Sequence, residues 1–309
     1  MTHRPQPCND IVAITQFKDL PSAPLILVQI IGSADQTLRQ QYIQTSINEP
    51  KEPYYSMSLL DYFDRVSIIH LRQRTDRYHA LVRELQYLGI EITNPKVCIP
   101  DAPTPNDANG FPSKALYGLQ LSHLEIIKAA QHDNLQSVWV LEDDAIFSRR
   151  FVHQQNEIAN FLARTEWDMC YFGHTLTKKL KSLPFGFPRY SGPFYWAHCY
   201  AVHARIFQRL ITYLEGTIER PRGDHLGGKM YPDAAYTVFR KLNPDVITLV
   251  ANPVLSVQRG SPSSLAQGRW HDRYVATRSA VDLARTVRDE CWRWTGWTCG
   301  GAAPRELGQ

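Results

Sequence analysis

Residues 138–144, Val138-Trp139-Val140-Leu141-Glu142-Asp143-Asp144, run four apolar side chains straight into three carboxylates. A short apolar run with such a polar boundary reads as a buried strand. Its acidic end puts Glu142, Asp143 and Asp144 at the strand's carboxyl end, where open α/β sheets hold their ligands. Three like charges crowded into a partly desolvated site repel one another. A divalent ion that prefers hard oxygen ligands, Mn²⁺ or Mg²⁺, would relieve that repulsion and could also hold a diphosphate. The competing interpretation is a solvated acidic turn that merely ends the strand.

Working outward, residues 66–71 (VSIIHL) form another short apolar strand, followed by the polar run RQRTDR at 72–77. A helical pattern carrying Leu81, Leu85 and Leu88 comes next, and Gly89 suits its left-handed end. Strand, basic turn and helix make the first half of an α/β unit. Residues 100–113 are a Pro/Asn/Gly-rich loop, and 114–131 repeat Leu116, Leu119, Leu124, Ile127 and Ala130 at helical spacing. Downstream, the pattern predicts a helix at 151–162, strands at 167–172 and 197–202, and a helix at 204–214. A short helix at 234–242 and a strand at 246–250 follow. Residues 182–195 read as a loop, 216–232 are rich in glycine and charge, and 25–31 read as a buried strand or short helix. The divisions expected are an N-terminal extension at 1–62 whose first ten residues are a loose leader, a catalytic domain at 63–275, and a helical Trp-rich tail at 276–309.

The 309 residues are 43% hydrophobic and 21% charged, enough to bury a sizeable core and too apolar for general disorder. The formal net charge of +4 comes without any basic stripe interleaved with aromatics, so no nucleic-acid partner is expected. The six cysteines form no CxxC pair; Cys98, Cys170 and Cys199 read as buried reduced thiols, and Cys291 and Cys299 could pair only within the tail. A reducing, cytoplasmic location is the expectation. The first ten residues lack a signal-peptide core and no run suits a spanning helix. Trp292, Trp294 and Trp297 could touch a membrane interface peripherally, cover a core edge or make a dimer contact. Metalloprotease, serine-hydrolase, P-loop and dinucleotide fingerprints are all missing.

Candidate residues follow from side-chain chemistry. Arg72, Arg74 and Arg77 could fork onto phosphates, or pair locally with Asp76. Ser122-His123 lies mid-helix on the face of Leu116 and Leu119, where a satisfied buried histidine is the plain reading. Asp233, after Pro232, suits the start of a helix; its other reading is a general base.

In order along residues 66–265, these segments resemble the family 25 glycosyltransferases, the lipooligosaccharide and collagen galactosyltransferase group. The similarity runs through the 66–71 strand with Arg74 and Arg77, Gly118-Leu119-Gln120-Leu121-Ser122-His123-Leu124, and the Val140-Leu141-Glu142-Asp143-Asp144-Ala145 core. It continues through residues 168–173 (DMCYFG), 198–210, Pro232-Asp233 and 253–264 (PVLSVQRGSPSS). His70 stands where that family usually has asparagine, and Leu119-Gln120-Leu121 replaces its commoner Gly-Cys-Ala run.

The resemblance implies a GT-A-like nucleotide-diphospho-sugar transferase fold, α/β with a mixed central sheet flanked by helices. It implies inverting transfer of a sugar, galactose most often, from a UDP-sugar donor to a glycan or glycolipid acceptor. Asp144, with Glu142, would bind the metal. Arg74, Arg77, Ser122, His123, Glu142 and Asp143 would line the donor, and Asp233 would be the base. Two alternatives stay open: a metal-dependent phosphohydrolase or nuclease with Asp168 or Asp233 as further carboxylates, and a non-catalytic carbohydrate-binding protein.

Overall fold

The structure, a computed structural model, describes residues 57–178, 185–259 and 286–294. All of these belong to one compact unit, residues 56–309. Expectations for 1–10, 25–31 and most of 32–62, for part of the loop at 182–195, for 260–264, and for Cys8, Cys299 and Trp297 lie outside the described residues.

Helix α1 (Leu59–Tyr62) is one turn closed by a reciprocal Ser58/Asp61 capping box. Then come β1 (Arg65–Ile69), α2 (Thr75–Tyr87), β2 (Val97–Cys98), α3 (Lys114–His132), β3 (Ser137–Glu142) and β4 (Ala145–Phe147). Helices α4 (Arg149–His153) and α5 (Gln155–Arg164) lead to the long strands β5 (Met169–Leu176) and β6 (Phe194–His203). A 3₁₀ turn at Ala204–Ile206 opens α6 (Phe207–Glu219), followed by α7 (Pro232–Leu242), β7 (Thr248–Val250) and β8 (Ser256–Gln258). Residues 286–294 form α8.

The strands make one mixed sheet in the order β2-β1-β3-β6-β5-β8-β4, with β7 beside β5. β1 is parallel to β2 and β3, because α2 and α3 carry the chain back between them. β6 runs antiparallel between β3 and β5, and β5 is parallel to β7 and β8. Alternate side chains feed two cores. Val66, Ile68, Trp139, Leu141, Cys170 and Phe172 face α1, α2, α4 and α5. Val138, Val140, Met169, Tyr171, Tyr200 and Val202 face α3, α6 and α7. Burial on both faces is why the β1 and β3 stretches read as unbroken apolar runs. This is the expected α/β class, a mixed central sheet flanked by helices.

Several local expectations change. The helix expected at 151–162 is two helices broken at Gln154, with the Gln155 amide donating to the Val152 and Leu88 carbonyls at 3.3 and 3.0 Å. Strands β4 and β8, three residues each, are too short for a hydrophobic period to reveal. Cys98 is only half-buried, a correction that follows from its place on edge strand β2, while Cys170 and Cys199 are buried thiols as expected. Among the described residues no helix is long and apolar enough to cross a membrane.

The tail helix is anchored by a buried ion cluster. Glu84 of α2 accepts from Arg259 at 2.7 Å and from Arg293 of α8 at 2.8 Å, and also takes the Phe147 N–H at 3.3 Å. Arg293 also lies over the Tyr87 ring, 4.4 Å from its centroid. Trp292 is buried against the core, so this indole is not free to meet a membrane, whereas Trp294 is 65% exposed beneath Arg149. Removing one partner of a buried charge cluster strands the others. Glu84→Ala is expected to lower the unfolding free energy by about 3–5 kcal/mol, measured by urea denaturation; an unchanged midpoint would mean the cluster contributes nothing net.

Candidate functional site

Strands β1 and β3 end side by side, Ile69 pairing with Glu142, and the chain turns at Asp143 and Asp144. A cavity of about 390 Å³ opens at that rim. Its floor is Ile69, Leu71 and the three carboxylates; its walls are Arg74, at the N-cap of α2, Arg77 in the first turn of α2, residues 102–105, and α3 from Lys114 to Ser122. Gln258 and Arg259 close the remaining side. Gly118 allows the 102–105 wall to approach α3, since a Cβ there would meet the Pro103 carbonyl at 2.5 Å. Ser113 caps α3 by accepting the Leu116 N–H, so the positive end of a 19-residue helix borders the cavity at Lys114 and Ala115.

The three carboxylates are divided among different partners. Asp143 accepts from Arg77 Nη1 at 2.7 Å and bonds His70 Nδ1 at 2.8 Å. The same Arg77 Nη1 lies 3.1 Å from Asp144 Oδ2. A guanidinium therefore relieves part of the repulsion expected to require a cation. Asp144 Oδ1 is buried with no hydrogen-bond partner. Glu142 accepts from Gln258 at 3.3 Å and faces His123 Nε2 at 3.8 Å. Burial raises Glu142 and Asp144, helped by their acidic neighbours and opposed by Arg77, each to about 7.

The other expected residues separate. Arg74 lines the cavity while its guanidinium pairs with Asp76 at 2.8 Å, the local pairing weighed above. Arg72 is an exposed partner of Asp101 and does not line the cavity. Ser122 lines the cavity and donates to the Gly118 carbonyl at 2.9 Å. His123 is fully buried; its Nδ1 bonds Tyr200, whose hydroxyl meets Tyr236 at 2.7 Å, and burial lowers its pKa to about 3. It is a neutral core histidine pointing at Glu142. Asp233 is not among the cavity residues: it accepts the Trp196 N–H at 2.9 Å and the Ala234 N–H at 2.8 Å, and burial raises its pKa. Asp168 is committed elsewhere, accepting from Arg205 at 3.0 Å and from the Ile247 N–H at 2.8 Å.

His70, Lys114, Gln258 and Arg259 join the site without having been singled out for it. His70 was visible as a departure from the family's asparagine, and Lys114 follows the helix-start pair Pro112-Ser113. Gln258 and Arg259 reach the rim only because β8 pairs with β4, which directly follows Asp144, and the Arg259 N–H donates to the Asp144 carbonyl at 2.6 Å.

No protein-family model matches the chain, and no curated protein matches it in sequence. Among solved structures it is similar to a glycosyltransferase involved in the glycosylation of the major capsid of PBCV-1. That match has a TM-score of 0.40 and 13% identity, over 72% of this chain and 99% of the other. It is also similar to mannose-1-phosphate geranyltransferase from Thermus thermophilus, with a TM-score of 0.34 and 14% identity over 60% and 72% of the two chains. Likeness this distant assigns neither substrate nor site residues.

A carboxyl whose pKa is raised by folding binds its proton more tightly in the folded chain, so its ionisation opposes folding. For Asp144 that cost is absent below the ordinary value of 3.8, grows as pH rises, and is complete above about 7. Asp144→Asn, which cannot ionise, is therefore expected to raise Tm at about pH 8, the gain vanishing toward pH 4. Thermal unfolding in chelator across that range checks it; a lower Tm at pH 8 would mean the lost Arg77 pairing outweighs the relieved repulsion.

Proposed function

We propose that this chain is an inverting glycosyltransferase that moves a sugar, galactose first among the candidates, from a UDP-sugar to a hydroxyl of a glycan or glycolipid. The observation that carries this reading is the orphaned Asp144 Oδ1, buried at the rim of a cavity that sets four cationic side chains, Arg74, Arg77, Lys114 and Arg259, around its three carboxylates. That lining suits a diphosphate, which takes forked guanidinium contacts and the positive end of a helix. The family 25 motifs fall on the same elements, with Arg74, Arg77, Gly118, Ser122 and the acidic core all on the cavity wall.

The donor set also fits a divalent ion. Among the described residues no group of three or more His, Cys, Asp or Glu could hold one alone. Asp144 and Glu142 would instead supply one or two oxygens, with diphosphate and water completing the shell, as Mg²⁺-type sites commonly do. When bound, Mn²⁺ or Mg²⁺ would neutralise charge on the departing diphosphate.

In this reading the acceptor oxygen bonds to the donor's anomeric carbon as the bond from that carbon to the diphosphate oxygen breaks, on the opposite face. The hydroxyl proton passes to Asp233, each of whose oxygens keeps a lone pair beyond the backbone N–H it accepts. Arg74, Arg77, Lys114 and Arg259 stabilise the negative charge that grows on the leaving group. Gly118 and the 102–105 wall confine the nucleotide side. The phosphohydrolase alternative needs a second carboxylate cluster for a two-metal site. Asp168 is clamped by Arg205 and Ile247, which removes one of its two candidates.

Thermal shift with UDP and Mn²⁺ tests the donor assignment. UDP plus Mn²⁺ is expected to raise Tm in the wild type, and Asp144→Ala to abolish the Mn²⁺-dependent part; an undiminished shift in the variant removes Asp144 as a ligand. Transfer from UDP-galactose should give a product of opposite anomeric configuration by NMR, whereas retained configuration, or robust cleavage of phosphodiesters to monoester and alcohol, would overturn the inverting-transferase reading.

A further inference from the structure

Trp196 adopts φ 73°, in the left-handed region that a bulky aromatic enters only at a cost and glycine enters freely. Such strain persists where the surroundings hold it, and it clusters at ligand sites. The holding group here is Asp233, whose Oδ2 accepts the Trp196 N–H at 2.9 Å from the first turn of α7. The neighbouring sheet is shaped to match. The β5–β6 register shifts on both sides of Gly173, where a Cβ would come within 2.3 Å of His198 Nε2. The Trp196 ring stands edge-on to that buried His198, 6.1 Å between centroids.

One side of the indole is thus fixed on the sheet, and Trp196 as a whole is only half-buried. Tyr195, adjacent in sequence, is 53% exposed, and Tyr231, two residues before Asp233, is 47% exposed. Aromatic rings beside a carboxylate match the two sides of a pyranose, an apolar face of C–H groups and a rim of hydroxyls. The patch also lies at the correct end of the sheet. β6 runs antiparallel to β3 and pairs Cys199 with Leu141, so Trp196, three residues earlier, lies at the end where Glu142 emerges. The charge of Asp233 is near enough to add to the upward shift at Glu142.

We propose that Trp196, held in its left-handed conformation by Asp233, is the platform of the acceptor subsite and stacks a pyranose ring of a saccharide acceptor beside the donor cavity. The inference rests on the glycosyltransferase reading and adds the acceptor's chemical class. It also makes Asp233 a positioning residue in addition to its part in proton transfer.

The test is saturation-transfer NMR with methyl glycosides of glucose, galactose, mannose and N-acetylglucosamine and with lactose, each with UDP present, alongside direct titration of UDP. Trp196→Gly suits the backbone and should fold; Trp196→Phe keeps a ring. At least one of these sugars is expected to saturate in the wild type, to weaken at least about tenfold in Trp196→Gly, and to be largely retained in Trp196→Phe, with UDP affinity unchanged throughout. Asp233→Asn, whose single amide oxygen can accept the Trp196 N–H while giving up that of Ala234, should keep sugar binding, and Asp233→Ala should lose it. Sugar binding that survives in Trp196→Gly overturns the platform, as does a wild type that binds UDP but no sugar. A wild type that binds no UDP but still shows Trp196-dependent sugar signals overturns the donor reading and leaves the platform standing; binding of neither overturns both.

Discussion

Arg77 is the contact on which the rim of this sheet depends. One guanidinium nitrogen, largely shielded from solvent, lies within 2.7 Å of Asp143 and 3.1 Å of Asp144. Adjacent carboxylates in a desolvated turn would otherwise drive each other apart or take up protons. Bringing the cation from α2 ties that helix to the end of β3, and His70, just past β1, grips the second oxygen of Asp143. The end of β1, the start of α2 and the acidic turn after β3 are thereby fixed at one point. The arrangement is incomplete by one group: Asp144 Oδ1 remains buried and unbonded, a costly state that a ligand can relieve.

Two environments border that point. Toward α2 and the N-terminal end of α3, the lining is cationic and open, shaped by Gly118 and residues 102–105. Toward β6 and α7 it is aromatic, with the hydroxyls of Tyr200 and Tyr236 chained to His123 and with Trp196 braced on Asp233. Glu142 stands between, facing His123 on one side and Gln258 on the other.

The C-terminal helix belongs to this organisation through Glu84. That buried carboxylate bonds Arg293 of α8 and Arg259 of the cavity wall at once, and the Arg259 backbone N–H donates to the Asp144 carbonyl. The tail is therefore linked to the acidic turn through one charge cluster. Such clusters add little net stability compared with apolar packing, but they define geometry firmly because breaking any one pair strands a charge.

The primary structure by itself determined the elements whose burial is continuous or periodic. The runs 66–71 and 138–141, the 114–131 helix, and the acidic end of β3 were readable because hydrophobic period and abrupt polarity are local properties. It also drew Arg74, Arg77, Ser122 and the three acids together as candidates, all of which line one cavity. Tertiary structure alone decided how those charges are shared. Nothing local says that Arg77 turns to Asp143 and Asp144, or that Arg72 turns outward to Asp101. Nor could three-residue strands such as β4 and β8, or the brace from Asp233 to Trp196 across 37 residues, leave a mark in the pattern. Periodicity records which face is buried, whereas the partner of a charge is set by what the folded chain brings within a few ångströms of it.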